Sequence, residues 1–203
     1  MTTVASGVTR LDGRLARSAR TRHAVIVALL DLHQEGDLSP TVGRVAARAG
    51  VALRTVYGHF ADLEALYGEA GQHALEQVQA MAVPIRTDLP LPERAALFCG
   101  NRADILEWLL PITLAAALRE GLSPTMQQNR ADFVALAETQ VRAVFSPELE
   151  RLDPASQAST VHALYLACSG PSWIALRRDL GLDRYAAEGV MAAIVCDVVS
   201  HLS

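Results

Sequence analysis

Residues 41–60, TVGRVAARAGVALRTVYGHF, leave this chain few ways to fold. Two short helix-length segments stand on either side of Gly50. Thr41 is placed to cap the first, over 42–48, with its hydroxyl. Gly50 tolerates the positive φ of a sharp turn, and the second segment runs over 52–58. Their apolar residues are small and few: Val45, Ala46 and Ala49 on the first, then Val51, Val56 and Phe60 around the second. Such a pair needs a third surface to rest on, and the segment upstream supplies it. Over 20–35, Ile26, Leu29, Leu30 and His33 recur at i, i+3, i+4 and i+7, which makes one buried stripe on a helix. Gly36 ends that helix.

Two short helices about a three-residue turn, resting on a first helix, form a helix-turn-helix. The second helix of that motif turns one face to its own domain and the other to a DNA groove. Val51, Val56 and Phe60 are the anchors, and Phe60 is positioned to close the core against Ile26, Leu30 and Val45. Arg54, Thr55, Tyr57 and His59 are left for phosphates and base edges, with Thr41 and Arg44 as further contacts from the preceding helix. Gly58 lets a backbone come close. Arginine bonds guanine bidentately, while Thr and Tyr hydroxyls commonly meet phosphate oxygens.

Charge distribution points the same way. The chain has 203 residues and a net charge of −4, and all of its basic residues other than histidine are arginine. Residues 1–60 carry eight arginines against four acids, whereas the remainder carries ten arginines against eighteen acids. A basic N-terminal third on an acidic body suits an anionic partner for the first part only. Residues 1–19 are rich in Thr, Ser, Gly and Arg without helical periodicity, and are read as a flexible basic arm. Its Arg10, Arg14 and Arg17, with Arg20 and Arg22 beyond, are available for phosphate neutralisation or a minor groove.

The rest of the chain reads as helices only. Hydrophobic residues are 51% and aromatics 5%, alanine and leucine dominate, and no convincing strand occurs. A helix is expected from about Asp62 to 81, followed by the proline-rich connection VPIRTDLPLP at 83–92. Ser123-Pro124 and Asp153-Pro154 each place a capping residue before a proline at the first helical position, and Asp183 caps the last helix. Helices follow over about 92–110, 111–120, 124–144, 154–178 and 183–201, with Pro111 either kinking one long helix or starting a new one. In the last, Ala187, Val190, Met191, Ile194, Val195 and Val198 share a broad apolar face, and Gly189 and Ala193 allow close approach. Two such helices at a chain end suit packing against a symmetric copy in a four-helix interface, giving a homodimer.

Several classes are disfavoured. No run of 18 or more apolar residues suggests a membrane span. The first 22 residues lack an apolar segment behind their basic ones, so no secretory signal is expected and a cytoplasmic location is. Cys99, Cys168 and Cys196 are too sparse for a disulfide framework. The six histidines, His23, His33, His59, His73, His162 and His201, form no metal-ligand spacing. No metal or cofactor is expected.

With Gly36, Thr41, Val45-Ala46, Ala49-Gly50-Val51, Thr55, Tyr57, Phe60 and Leu66 in place, residues 20–67 resemble the DNA-binding segment of the TetR family of bacterial transcriptional regulators. Ala52 stands where that family often has a capping serine, Leu63 where a lysine is frequent, and Pro40 where threonine is common. The resemblance implies an all-α protein in three parts. A basic arm (1–19) precedes a three-helix DNA-binding domain (20–66) and a larger helical effector-binding and dimerisation domain (67–203). It also implies a homodimeric repressor on a palindromic double-stranded DNA operator, released by a small apolar or amphipathic effector. An activator, or a regulator of the same fold that ignores small molecules, remains open. The effector pocket would lie between the helices of the body, with Phe98, Trp108, Phe133, Tyr165 and Trp173 as apolar candidates and Asn101, Asn129 and His162 as polar anchors. The remaining alternative, an all-helical enzyme with His162 or Glu107 as base, has no nucleophile–base–orienter set to support it.

Overall fold

The computed structural model describes residues 5–121 and 123–200, with side chains other than those of 5–12, 14 and 120. Among the described residues the fold is helical throughout.

Helix α1 spans Ala5–Gln34. Its second half carries the expected stripe: Ile26, Leu29, Leu30 and His33 are all buried. Its first half corrects the expected flexible arm. Residues 5–19 belong to the same helix, while 1–4 lie outside the described residues. The segment has no proline and includes Arg10, Leu11, Arg14, Leu15, Ala16, Arg17 and Ala19 as good helix formers, with Gly7 and Gly13 as its weak points. Of its described side chains, Leu15, Arg17 and Arg20 are all exposed. Over 15–19 an unpatterned stretch is an exposed helix rather than an absent one.

The chain leaves α1 through Gly36, at φ 90°. Helix α2 (Val42–Arg48) is capped by Thr41, whose hydroxyl accepts from the Arg44 amide. Gly50 turns the chain at φ 67°, and the Val51 amide donates back to the Ala46 carbonyl. Helix α3 (Leu53–His59) then begins without any side-chain cap at Ala52. Val56 and Phe60 are buried in one cluster with Ile26, Leu30, Val45 and Ala46, which is the three-helix packing that the apolar pattern requires. Asp62 caps α4 (Leu63–Met81) by accepting from the Ala65 amide at 2.8 Å. The same core cluster continues up α4 through Tyr67, Ala70 and Ala74, and takes in Ile112 and Met126 from the body.

Helix α5 (Leu91–Glu120) is continuous through Pro111. The proline costs one backbone hydrogen bond, yet the helix carries on with Leu109, Ile112 and Ala115 still buried. Helix α6 (Pro124–Val144) starts at the Ser123 cap, and a short α7 (Ser146–Leu149) follows it. Asp153 caps α8 (Pro154–Ala167). The expected single helix 154–178 is broken here. The chain restarts at Ser169 with α9 (Gly170–Ile174) and continues as a π-helical turn over Ala175–Asp179. Asp183 accepts from the Ala186 amide at the start of α10 (Arg184–Ser200).

The body's core gathers Phe98, Phe145, Val161, Leu164, Trp173, Met191 and Val195. Phe98 and Phe145 meet edge to face, with centroids 5.4 Å apart. A bidentate ion pair between Arg94 and Glu148 lies inside this region.

Candidate nucleic-acid interface and internal cavity

The outer face of α3 is set by what its inner face must do. Val56 and Phe60 face the core, so Arg54, two positions before Val56, and Tyr57, one position after it, face water. Tyr57 is 58% exposed. Among the described residues no hydrogen bond or ion pair holds either Arg54 or Tyr57. Thr55 and His59 are half-buried, and Thr41 and Arg44 are exposed at the start of α2.

The neighbouring arginines are committed. Arg44 pairs with Asp37, and Arg48 with Glu35 and Asp31. Arg22, expected to be free for phosphate, instead ties three elements together. It donates to both Glu69 carboxylate oxygens and to the His59 carbonyl, and its guanidinium lies 4.5 Å over the Phe60 ring. A cation at the end of α3 also favours the negative pole of that helix. Arg22 therefore braces α3 against α1 and α4 rather than serving the outer face. Arg17 and Arg20 remain exposed on α1, and the side chains of Arg10 and Arg14 lie outside the described residues.

The bare start of α3 has a measurable consequence. Ala52→Ser would place a hydroxyl where the helix has none, and a cap of this kind contributes about 1 kcal/mol. The variant is expected to unfold at higher urea than wild type, with an unchanged m-value. A midpoint equal to or below that of wild type would show that α3 gains nothing from a cap.

The second feature is a cavity of about 140 Å³ bounded by α1, α4, α5, α6 and the α8–α9 region. Leu30 and His33 come from α1, Tyr67, Ala70, Gly71 and Val78 from α4, and Asn129 and Phe133 from α6. One face of α5 runs along it through Arg102, Leu106, Leu109, Thr113 and Ala116. Tyr165, Gly170 and Pro171 close another side.

Polar groups on its wall are few and specific. His33 is bonded through Nδ1 to the Asp37 carbonyl at 2.9 Å and stacks on Tyr67. Burial lowers the affinity of His33 for a proton, and its bond to Asp37 only partly offsets this, so the ring is held below the usual histidine range. Burial pushes the Tyr67 phenol up, and among the described residues nothing hydrogen-bonds its hydroxyl. Asn129 accepts from Gln72 and donates to the Gly68 carbonyl, which stitches α6 to α4. That approach is tight enough that a Cβ at Gly71 would collide with the Asn129 amide.

Of the residues expected to line a pocket, Asn129, Phe133 and Tyr165 do so. The other five stand elsewhere. Phe98 and Trp173 are buried in the body core, where the Trp173 indole donates to Glu107 at 2.8 Å. Asn101 secures the end of α4, donating to the Met81 carbonyl and accepting from the Val83 amide. Trp108 packs beside the core clusters, and its carbonyl accepts from Gln34. His162 faces solvent on α8, 3.9 Å from Glu138. Glu107, the other candidate base, is committed to Arg177 and Trp173. Burial works to raise its carboxyl, but those two donors win and hold it below the usual carboxylate range. His33, Tyr67 and Arg102 also line the cavity, and their sequence contexts do not single out the first two. Arg102 carried a visible signal, because it interrupts the stripe formed by Ala95, Cys99, Leu106 and Leu109.

Among the described residues no group of three His, Cys, Asp or Glu is arranged to hold a metal ion, and no helix is long and apolar enough to cross a membrane.

No protein-family model matches the chain, and no curated protein sequence does. Solved structures do. A TetR-family transcriptional regulator from Streptomyces coelicolor superposes with a TM-score of 0.69 at 21% identity, over 90% of this chain and 79% of that one. The fold is that of the TetR-family regulators. A transcriptional regulator from Rhodococcus sp. Rha1 shares the TetR fold with a TM-score of 0.67 at 17% identity, covering 89% of this chain and 96% of its own. The multidrug binding protein EbrR, complexed with imidazole, shares it at 0.53 and 24% identity, over 88% of this chain and 89% of its own. In TetR-fold terms, α1–α3 are the N-terminal helix-turn-helix unit and the later helices form the C-terminal helical domain.

Proposed function

We propose that the chain is a cytoplasmic, homodimeric transcriptional repressor that reads a palindromic operator with α3 and lets go of it when a small molecule fills the cavity. The observation that carries the DNA-binding part is the contrast on the helix-turn-helix unit. Arg44 and Arg48 are paired within it and Arg22 is paired with Glu69 of α4, whereas Arg54 and Tyr57 are presented outward without partners among the described residues. Holding two polar side chains unpaired on a braced helix suits an external anionic partner. Thr41, Thr55 and His59 flank them as secondary contacts, and Arg44 would add a further one on exchanging Asp37 for a phosphate.

The position of the cavity supports release by a ligand. Leu30 and His33 belong to α1 of the DNA-binding unit, and Tyr67 to the helix that follows it. Arg119, near the end of α5, donates to the Leu38 carbonyl and the Ser39 hydroxyl in the α1–α2 connection, and lies 4.2 Å over the Tyr67 ring. A ligand that displaces α5 or Tyr67 would therefore move groups attached to the reading unit. It favours release only insofar as it binds that displaced arrangement more tightly. EbrR, described as a multidrug binding protein, shows a small-molecule role on a similar fold.

The test is a pair of substitutions on an operator recovered by selection from random DNA. Arg54→Ala is expected to cost about 1–3 kcal/mol and relax preference at one base-pair position per half-site. Tyr57→Phe is expected to weaken all sequences alike, as loss of a phosphate contact does. Affinities unchanged in both variants would remove α3 as the reading element.

A further inference from the structure

The wall of the cavity is chemically one-sided. It carries the buried Arg102, and no aspartate or glutamate lines it; Arg130, exposed at its margin, is engaged in an interaction of its own. Arg102 is 7% exposed, in the middle of an otherwise apolar stripe of α5. Its Nε donates to the Cys168 carbonyl at 2.8 Å, and Nη1 to the Gln140 side-chain oxygen at 3.4 Å. Both acceptors are neutral, and no ion pair to a carboxylate accompanies them among the described residues. The buried pair Arg94–Glu148 shows the usual solution in this same molecule, a carboxylate meeting the fork head-on. Arg102 has the fork without the carboxylate.

A buried guanidinium stays protonated and has five donors in a planar array matched to an oxyanion. Desolvation is what chiefly disfavours its charge here. The pole at the end of α8, where Cys168 is the capping residue, offsets part of this. An anion delivered to the site would relieve the rest.

The shape supplies the remaining chemistry. Arg102, Leu106, Leu109, Thr113 and Ala116 lie at i, i+4, i+7, i+11 and i+14 of one helix, so the lined face extends about 20 Å at 1.5 Å per residue. Arg102 marks one end. Tyr67 stands by the other, beside Arg119, with its hydroxyl unpartnered. Between them the wall is Leu106, Leu109, Ile112 and Phe133.

We propose that the cavity takes an elongated apolar monocarboxylate, with its carboxylate on the Arg102 guanidinium and its apolar body lying along α5 toward Tyr67. This deepens the reading of the cavity as an effector site and rests on it for its regulatory meaning, though the binding itself does not depend on DNA. Specificity follows from the same groups. A neutral or cationic analogue of equal length would leave the buried guanidinium unmatched, so discrimination falls on charge rather than on chain detail.

The experiment is calorimetric titration of the full-length protein, without DNA, with decanoate and with decan-1-ol. Wild type is expected to bind decanoate about 10- to 100-fold more tightly than the alcohol, the range of a charge-assisted hydrogen bond. Arg102→Gln, checked for native helicity by circular dichroism, is expected to lose that preference while keeping its affinity for the alcohol. Equal affinities for the two compounds in wild type, or no binding of either, would overturn the proposal without recourse to any variant. Arg102→Gln binding decanoate as wild type does would also overturn it, leaving Arg102 as a staple on the Cys168 carbonyl. A parallel DNA titration of wild type separates the two ideas. Failure to bind any selected DNA counts against the regulator reading and leaves the carboxylate result standing. Preferential decanoate binding without release of bound DNA supports the site and counts against its role as a release switch.

Discussion

Glu148→Ala is expected to lower the unfolding free energy by about 3–5 kcal/mol, the usual cost of stranding one member of a buried ion pair. Arg94 and Glu148 have side chains only 3% and 9% exposed. Arg94 uses its whole fork, giving Nε to the Leu89 carbonyl, Nη1 to the Val144 carbonyl and Glu148, and Nη2 to Glu148. It thus joins the start of α5 to the end of α6 and to α7, and without Glu148 a buried guanidinium keeps only neutral acceptors. At about 2–4 °C per kcal/mol for a chain of this size, the melting temperature should fall by about 6–20 °C. Arg94→Met combined with Glu148→Leu should recover most of the loss, because the pair's own desolvation cost disappears with it. Urea unfolding at one fixed protein concentration measures both. A Glu148→Ala variant within 1 kcal/mol of wild type would mean the pair is hydrated in solution.

The same comparison sharpens the meaning of Arg102. Two arginines, eight positions apart on α5, are both buried, yet only Arg94 has an acidic partner. If buried charge without a carboxylate were merely tolerated in this fold, loss of Glu148 should be mild. A large penalty at Glu148 would show how costly an unmatched guanidinium is in this body, and so how much an incoming carboxylate could recover at Arg102.

The helix-turn-helix unit was readable because its signals are local. A threonine cap, a glycine with φ 67° and two anchors on α3 determine its form within 20 residues. Helix starts in the body were equally local: Ser123, Asp153 and Asp183 all cap as their spacing with proline or the following helix suggests. The break at Cys168 carries the same kind of signal in Ser169-Gly170-Pro171, but the flanking residues continue an apolar pattern that masks it. The cavity is a different matter. Whether Trp173 fills the core or lines a void depends on which face of α9 meets α5, and the indole's bond to Glu107, 66 residues away, decides it. Phe98 was lost to the core in the same way, by meeting Phe145. Large aromatics mark places that need filling, so they are poor markers of a space left empty. Arg102 and the Tyr67 hydroxyl are better ones, because each is a buried polar group with unused bonding capacity.

Ala193→Arg is expected to convert a dimer into a folded monomer that no longer holds its operator. The expected apolar face of α10 divides in two. Ala187, Met191 and Val195 are fully buried in the chain's own core and Val198 packs half-buried against it, whereas Val190 and Ile194 are 38% and 44% exposed, with Gly189 and Ala193 beside them. On α8, which packs against α10, Leu166 is 63% exposed and Ala163 lies open on the same outward side. A surface of small and branched apolar residues across two adjacent helices matches what a symmetric copy would cover, each helix pair meeting its twin. The proposed function makes the same demand, since one short helix reads too few base pairs to find a site among a genome's competitors, and a two-fold pair doubles the readout. Arginine at 193 would enter the middle of that contact, where a buried unpaired charge costs several kcal/mol. In the free chain the position is exposed, so the fold should be unaffected. Sedimentation should therefore report a wild-type dimer and a monomeric variant of unchanged helicity, with operator binding lost in the same variant that keeps Arg54 and Tyr57 intact. If Ala193→Arg stays dimeric and binds DNA as wild type does, the contact between copies lies away from α8 and α10. A wild type that sediments as a monomer would remove the two-fold reading of the operator altogether.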